Sequence, residues 1–177
     1  MLRKLFLQEE KNKFSKNTNT LFQWVDQELV HLLKEDQERY SKKVLEHFRK
    51  PHNQGVLKKP SGTGLVGNPK CGDIMRLYIK VSKNKKGEEV IKNVKFETLG
   101  CGAAIATTSM VTDLAKGKTI DKAMKITKKD VTDELEWLPP TKVHCSNLAA
   151  EALHEAIKNY KNETKKNVKN KTSKKRG

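Results

Sequence analysis

The sequence lacks any apolar run that approaches the roughly 18 to 20 residues of a membrane-spanning helix. Apolar residues make up 35% of the 177 residues and charged residues 33%, so we expect one domain of ordinary size with polar extensions. The opening segment, MLRKLFLQEE, has too short an apolar run for a secretory signal and too many acidic residues for a mitochondrial presequence. We therefore expect a cytoplasmic protein, with a mitochondrial-type matrix as the alternative.

Cysteine is scarce, since the chain holds only Cys71, Cys101 and Cys145. An odd number of cysteines, without a secretory signal, argues against a disulfide framework. The chain contains no CxxC pair, so a zinc-finger type of structural site is not indicated. Reduced thiols of this kind pack in a core, bind a metal or react as nucleophiles.

Acidic residues are few relative to basic ones, and the net charge is +16. The segment 161–177 carries eight basic residues and one acidic residue with almost no apolar side chain. Such a segment buries too little apolar surface to offset the conformational entropy lost on ordering, so it is predicted to be a disordered, solubilising tail. The alternative is a weak, salt-sensitive contact with an acidic partner. Nucleic-acid binding is not expected, because no nucleic-acid motif accompanies the charge.

Apolar residues recur at helical spacing in two N-terminal segments. In residues 20–38 they repeat every three or four positions, which predicts a helix within an N-terminal extension, 1–38. In YSKKVLEHFRKP the apolar positions repeat every four residues through Val44 and Phe48, which predicts a second helix that ends near Pro51.

The middle of the chain carries strand patterns, and the last part carries helical ones. MRLYIKV and VIKNVKFETL are joined by the polar, glycine-containing segment KNKKGEE, which predicts a hairpin. TGLV is a candidate third strand. After Gly100 the pattern becomes helical and closes with the amphipathic segment SNLAAEALHEAIKNY. Strands followed by helices predict an α+β fold rather than a doubly wound sheet.

Each cysteine lies at a junction between elements with polar residues nearby. Cys71 follows a glycine loop and precedes Asp73, Cys101 separates a strand from a helix, and Cys145 follows His144 at the start of the last helix. Three thiolates with Asp73 or His144 as fourth ligand suit zinc or a [2Fe–2S] cluster. Core packing and a Cys145–His144 thiol dyad remain alternatives, although adjacent residues usually point apart.

Three blocks then resemble the NifU-like/IscU family of iron–sulfur cluster scaffold proteins. GNPKCGD, LGCGAAIATTS and LPPTKVHCSNLAAEAL each supply one cysteine, in the family's order and at about its separations. The resemblance covers roughly residues 39–160, and YSKKVLEHFRKPHNQG is similar to the family's first helix and the loop after it. It implies one scaffold domain with a small three-stranded antiparallel sheet covered by helices. The extension 1–38 has no counterpart in short family members.

The resemblance implies roles position by position. Cys71, Cys101 and Cys145 match the cluster ligands, Asp73 the aspartate linked to cluster lability, and His144 a fourth ligand. Cys145 also matches the cysteine that accepts sulfur from a cysteine desulfurase as a persulfide. The cargo is then a transient [2Fe–2S] cluster built from Fe²⁺ and sulfide, with Zn²⁺ as an alternative occupant of the resting site. The implied function is cluster assembly and transfer to apo-proteins, without turnover of a small-molecule substrate.

The resemblance also implies partners. These are a cysteine desulfurase, iron and electron donors such as a frataxin-type protein and a ferredoxin, and apo iron–sulfur acceptors. The segment LPPTK resembles the site of a DnaK-type chaperone that acts with its J-protein; it comprises Leu138, Pro139, Pro140, Thr141 and Lys142. The family often has Val at the Thr141 position and Arg at the His52 position. An extended linker that separates two helices is the alternative explanation for the two prolines.

Overall fold

The computed structural model describes the backbone of residues 40–173, and the extension 1–38 lies outside the described residues. The first described helix, α1, spans Lys42–Arg49 and is capped by Ser41, whose side chain accepts a hydrogen bond from the Val44 N–H. Val44 is buried as expected, but the second buried residue is His47, whereas Phe48 is 45% exposed. The buried face is therefore rotated from the one that apolar spacing indicated.

Three strands form one antiparallel sheet within the described part of the chain. They are β1 (Gly62–Asn68), β2 (Asp73–Lys83) and β3 (Glu89–Leu99), in the order β1-β2-β3. Alternate side chains of β2 are fully buried, in keeping with a half-buried strand whose one face meets the core. The predicted fold class is confirmed, and the TGLV segment is part of β1.

Helices follow the sheet, as the sequence predicted. They are α2 (Gly102–Ala115), α3 (Ile120–Ala123), α4 (Lys128–Glu134), a 3-10 turn (Pro140–Lys142) and α5 (Val143–Ser173). Helix α2 is buried on nearly all sides; its buried threonines donate to its own carbonyls, as when Thr108 donates to the Ala104 oxygen over 2.6 Å. In the described residues, no helix is both long and apolar enough to cross a membrane.

Helix α5 packs directly on β1 because the strand presents glycines to it. A Cβ built at Gly64 would lie 2.1 Å from the carbonyl oxygen of Ala152, and one at Gly62 would lie 2.3 Å from that of Ala156. Both distances are far below van der Waals contact. The strand and the helix thus approach backbone to backbone, which holds the first turn of α5 at the end of the sheet.

The segment 161–177, which the sequence predicts to be a disordered tail, continues α5 for most of its length. Helix α5 continues through Ser173, and residues 161–166 are exposed on it. The segment contains no proline or glycine before its last residue, and lysine and glutamate are good helix formers. Adding residues to a helix that is already nucleated costs little free energy. The packed part of α5 therefore allows these polar turns to continue the helix. Residues 174–177 lie outside the described residues.

Candidate metal centre

Cys71 lies in the tight hairpin loop between β1 and β2. The last strand pair before the loop is Asn68 with Asp73. The Asn68 side-chain oxygen accepts a hydrogen bond from the Lys70 N–H over 3.0 Å, and its carbonyl accepts one from the Gly72 N–H over 2.8 Å. Gly72 adopts φ +75°, which favours glycine. This loop presents the Cys71 side chain to solvent.

Asp73 is the first residue of β2, and its carboxylate is buried with 3% of the residue exposed. One oxygen, Oδ1, accepts a hydrogen bond from the Cys101 N–H over 3.4 Å. A Cβ at Gly100 would lie 2.6 Å from the same oxygen. Gly100 is therefore required so that the end of β3 can pass beside the carboxylate, and Cys101 follows at once as the N-cap of α2.

Cys145 lies in the first turn of α5 and is fully buried. Its Sγ donates a hydrogen bond to Asp73 Oδ2 over 3.6 Å, and His144 Nε2 lies 3.5 Å from the same sulfur. Burial, followed by the neighbouring Cys101 and Asp73, raises the pKa of the Cys145 thiol far above its ordinary value. Cys145 is therefore a protonated thiol at neutral pH in the metal-free protein.

The five residues singled out in the sequence come together at one end of the sheet. Asp73, Cys101 and Cys145 offer ligand atoms within 4.8 Å of one another, and so do Cys71, Asp73 and His144. Asp73 belongs to both sets. The expectation that His144 and Cys145 point apart is wrong, because the backbone at this helix start turns both side chains toward the carboxylate.

Lys142 lies beside this site, on the 3-10 turn that precedes α5. Its Nζ is 3.9 Å from the Cys101 Sγ. Its electrostatic interaction with Cys101 is the main cause that raises the pKa of Lys142, with smaller contributions from Tyr40, Cys145 and Asp73, while burial opposes the shift. Lys142 is thus a cation that can balance thiolate charge, and it ends the LPPTK segment. In that segment Leu138 is buried, while Pro140 and Thr141 are exposed.

The donor set fits a soft metal ion or an iron–sulfur cluster. Thiolate sulfur and imidazole nitrogen suit zinc and iron, and Asp73 adds a harder oxygen ligand. Because Cys71 and His144 are exposed while Asp73 and Cys145 are buried, the site has an open and a closed side. The chemistry available is reversible metal coordination with protons released from the thiols.

The contacts that hold Asp73 were not predicted from the sequence. Its partners, Cys101 and Cys145, are 28 and 72 residues away in the chain. Gly100 makes room for the Asp73 carboxylate in the structure. No local pattern carries this information, since it depends on the pairing of β2 with β3.

The fold and the site define a small α+β domain that gathers three thiols, a carboxylate and an imidazole at one end of its sheet. Residues 39–167 match the family described as NifU-like N terminal domain. The chain belongs to this family.

Relatives and solved structures agree with that assignment. The chain is 54% identical over 121 residues to the iron–sulfur cluster assembly scaffold protein IscU 1 of Archaeoglobus fulgidus, covering 68% of this chain and 76% of the relative. It is 51% identical over 136 residues to the mitochondrial iron sulfur cluster assembly protein 1 of Debaryomyces hansenii, covering 75% and 73%. The crystal structure of a nitrogen-fixing NifU-like protein (N-terminal) from Brucella abortus aligns with TM-score 0.52 at 18% identity, covering 70% and 95%, and shows the fold.

Proposed function

We propose that this protein is a scaffold on which a labile [2Fe–2S] cluster is assembled from iron and desulfurase-derived sulfur and then passed to apo-proteins. This proposal rests on one observation. The structure brings together Asp73, Cys101 and Cys145, with the exposed Cys71 beside them. The names of the relatives, which describe cluster assembly, support it. The cluster is cargo here and not a permanent cofactor.

The three cysteines are the proposed cluster ligands, and Asp73 is the residue that keeps the cluster labile. A carboxylate oxygen is a hard ligand and binds iron in the cluster less firmly than a thiolate does. Asp73 already touches the Cys145 sulfur and the Cys101 amide, so it can replace a thiolate without moving far. His144, 3.5 Å from the Cys145 sulfur, is the proposed alternative fourth ligand.

Sulfur is proposed to enter as a persulfide on Cys145. In that step the Cys145 thiolate attacks the outer sulfur of the desulfurase persulfide, the S–S bond breaks, and the desulfurase cysteine leaves as a thiolate. Because Cys145 is buried and protonated, the step requires the first turn of α5 to open and a base to take the proton. His144 and Asp73 are the bases within reach.

The same geometry argues against a thiol enzyme that uses Cys145 with His144. A thiol nucleophile needs a lowered pKa, and here burial and two negative neighbours raise it. Zinc remains an occupant that the donor set would accept in the resting site. Metal analysis of the protein as isolated distinguishes zinc from iron.

Several partners belong to this proposal. A cysteine desulfurase supplies sulfur, frataxin-type and ferredoxin partners supply iron and electrons, and apo iron–sulfur proteins accept the cluster. A DnaK-type chaperone with its J-protein is proposed to bind the segment 138–142. The exposed Pro140 and Thr141 are the residues that it would reach first, whereas Leu138 is buried against the core. The cytoplasm is the proposed compartment, and the mitochondrial relative supports the matrix as the alternative.

The proposal is tested by assembling the cluster anaerobically from iron, cysteine and a desulfurase. We expect a coloured, oxygen-sensitive protein, and we expect Asp73→Ala to hold its cluster longer and transfer it more slowly to an apo-acceptor. The matched control is Asp121→Ala, which removes an 88% exposed carboxylate far from the cysteines in the chain. It should behave as the wild type.

One result would contradict the whole proposal, and a second would contradict one part of it. A protein that stays colourless while it keeps one tightly bound zinc ion is not a cluster scaffold. Faster cluster loss from Asp73→Ala than from Asp121→Ala would show that Asp73 stabilises the cluster, and would refute only the role given to Asp73.

A further inference from the structure

A second group of metal-ligating side chains lies outside the cysteine site. His47 of α1, His52 of the following loop and Asp113 of α2 offer one ligand atom each, all within 4.8 Å of one another. The His47 and His52 rings lie 4.5 Å apart between centroids, and His52 Nδ1 is 2.5 Å from Asp113 Oδ2. His47 is buried, whereas the His52 and Asp113 side chains are 41% and 36% exposed. The group is thus anchored in the core and open to solvent.

His47 and Asp113 are each held by a neighbour that leaves them able to coordinate. His47 Nδ1 lies 2.8 Å from Ser109 Oγ, which orients the ring and leaves Nε2 for a ligand. Asn53 donates from Nδ2 to Asp113 Oδ1 over 2.9 Å and thereby fixes the carboxylate. Metal-binding histidines and carboxylates are commonly oriented by such second hydrogen bonds.

The backbone is bent to bring this group together. The His52 N–H donates to Ser109 Oγ over 2.8 Å, so one hydroxyl holds both histidines. Asn53 adopts φ +58°, an uncommon conformation for a residue with a side chain. These hydrogen bonds therefore fix the loop against α2.

Two imidazoles and one carboxylate are the donor set of many zinc and non-haem iron sites. A metal ion about 2.1 Å from each donor needs donor atoms roughly 3.0 to 3.4 Å apart, which small side-chain shifts reach from the present spacing. Three protein ligands leave positions for water, as the open side of the group allows.

We infer that His47, His52 and Asp113 form a second divalent-metal site, selective for Zn²⁺ or Fe²⁺ and separate from the cysteine site. Asp113 lies about three turns after Cys101 on the same helix, roughly 18 Å along its axis. A bound ion would add a further link between α1, the loop and α2, which already meet through several hydrogen bonds. The inference does not depend on the proposed cluster function, because it uses none of the cysteines.

The surrounding charges are mixed. Glu46 and Asp113 favour a cation near His47, whereas Lys43 and a charged His52 oppose it. Lys116 lies on the far side of Asn53, with its Nζ 3.4 Å from Asn53 Oδ1. The neighbouring charges are therefore of both signs, and the three ligands are the groups that would hold the ion.

The test counts Co²⁺ ions bound by the full-length chain in equilibrium dialysis and records the cobalt absorption spectrum. We expect two ions for the wild type: one with an intense sulfur-to-cobalt band from the cysteine site, and one without it. His52→Arg can still pair with Asp113 but cannot coordinate a metal ion, so it should lose the second ion and keep the sulfur band. His47→Gln, which can still bond to Ser109, should do the same.

The reciprocal variant replaces all three cysteines by serine and should bind one ion without a sulfur band. Adding His52→Arg to it should abolish binding. His154→Gln is the matched control, since His154 lies outside both groups and bonds to the Ile126 carbonyl over 2.9 Å. The inference is overturned if His52→Arg leaves the count at two, or if the three-serine variant binds no ion while its circular dichroism stays that of the wild type.

Discussion

Asp73 shows how one residue joins distant parts of this chain. Its carboxylate is buried, yet each oxygen has a partner, from the Cys101 amide on one side and the Cys145 thiol on the other. A buried charge without partners would be strongly unfavourable, so these contacts are what make the position tolerable. Burial is the main cause that raises the pKa of the neighbouring Cys145 thiol, and the Asp73 carboxylate adds to that shift.

Alkylation should therefore distinguish the cysteines in chelator-treated protein. We expect iodoacetamide to label the exposed Cys71 first and the buried, protonated Cys145 last. The Cys145 labelling rate should rise with pH above the range of an ordinary thiol. Asp73→Asn removes one of the charges that raise this pKa, so its curve should shift to lower pH. Peptide mass spectrometry after timed quenching gives the rates.

The control for this comparison is Asp121→Asn, an exposed carboxylate that should leave the labelling curve in place. A Cys145 that labels as fast as Cys71 at pH 7 would show that the thiol is neither buried nor protonated in solution.

At the scale of elements, the contact between β1 and α5 positions the site. The two backbones meet at Gly64, and the first turn of α5, which carries Cys145, is placed by that contact. Helix α2 enters from the other side with Cys101 at its start. The site thus depends on the packing of two helix N-termini against one end of the sheet.

Gly64→Ala should destabilise the fold, since the added methyl group would lie 2.1 Å from a backbone oxygen that cannot move aside freely. Overpacking of this kind costs about 1–3 kcal/mol of the free energy of unfolding, and a backbone clash belongs at the upper end of that range. Urea unfolding followed by circular dichroism measures the change.

Gly67→Ala is the matched substitution in the same strand. Its Cβ would meet no atom closer than 3.6 Å, so we expect a loss of less than about 1 kcal/mol. Equal losses at the two positions would show that β1 and α5 are not in direct contact.

Much of the fold could be predicted from local patterns, and the exceptions have physical causes. The alternation of Met75, Leu77 and Ile79 indicated β2 correctly because one face of the sheet meets the core. The face of α1 was misjudged because His47 is buried with a hydrogen bond to Ser109, a partner 62 residues away. Composition also does not register that a helix already formed can continue through lysine-rich turns, as α5 does through Ser173.

The candidate site, too, could be predicted only in part from the sequence. Cys71, Cys101 and Cys145 could be identified from their blocks, and the structure brings them to one end of the sheet with Asp73 and His144. Their unequal exposure could not be predicted, because it depends on which elements cover each thiol. The His47, His52 and Asp113 group gave no spacing signal either, since a loop and two helices must fold before its members meet.

The whole molecule carries a net charge of +16, and eight of its basic residues follow residue 160. Residues 161–166, which include Lys161, Lys165 and Lys166, are exposed on α5, so these side chains face solvent. Charge of one sign favours solubility and attracts polyanions without sequence preference.

We expect retention of the full chain on duplex DNA to be independent of sequence and to fall steeply between about 50 and 200 mM salt. A chain ending at residue 160 should be retained less, because it loses eight basic residues and one acidic residue. Electrophoretic mobility shifts at a series of salt concentrations test this. Sequence preference, or binding that survives high salt, would point to a nucleic-acid role instead.

The hairpin loop that carries Cys71 has a consequence for the order of events at the site. Cys71 is on the outer side, whereas Cys145 lies beneath Asp73 with no exposed surface. In the proposed function, an acceptor thiol meets the outer ligand first and the inner one last. Ligand exchange then proceeds from Cys71 toward Cys145. Its slow step is the departure of the buried Cys145 sulfur, which must take its proton from a group within the protein.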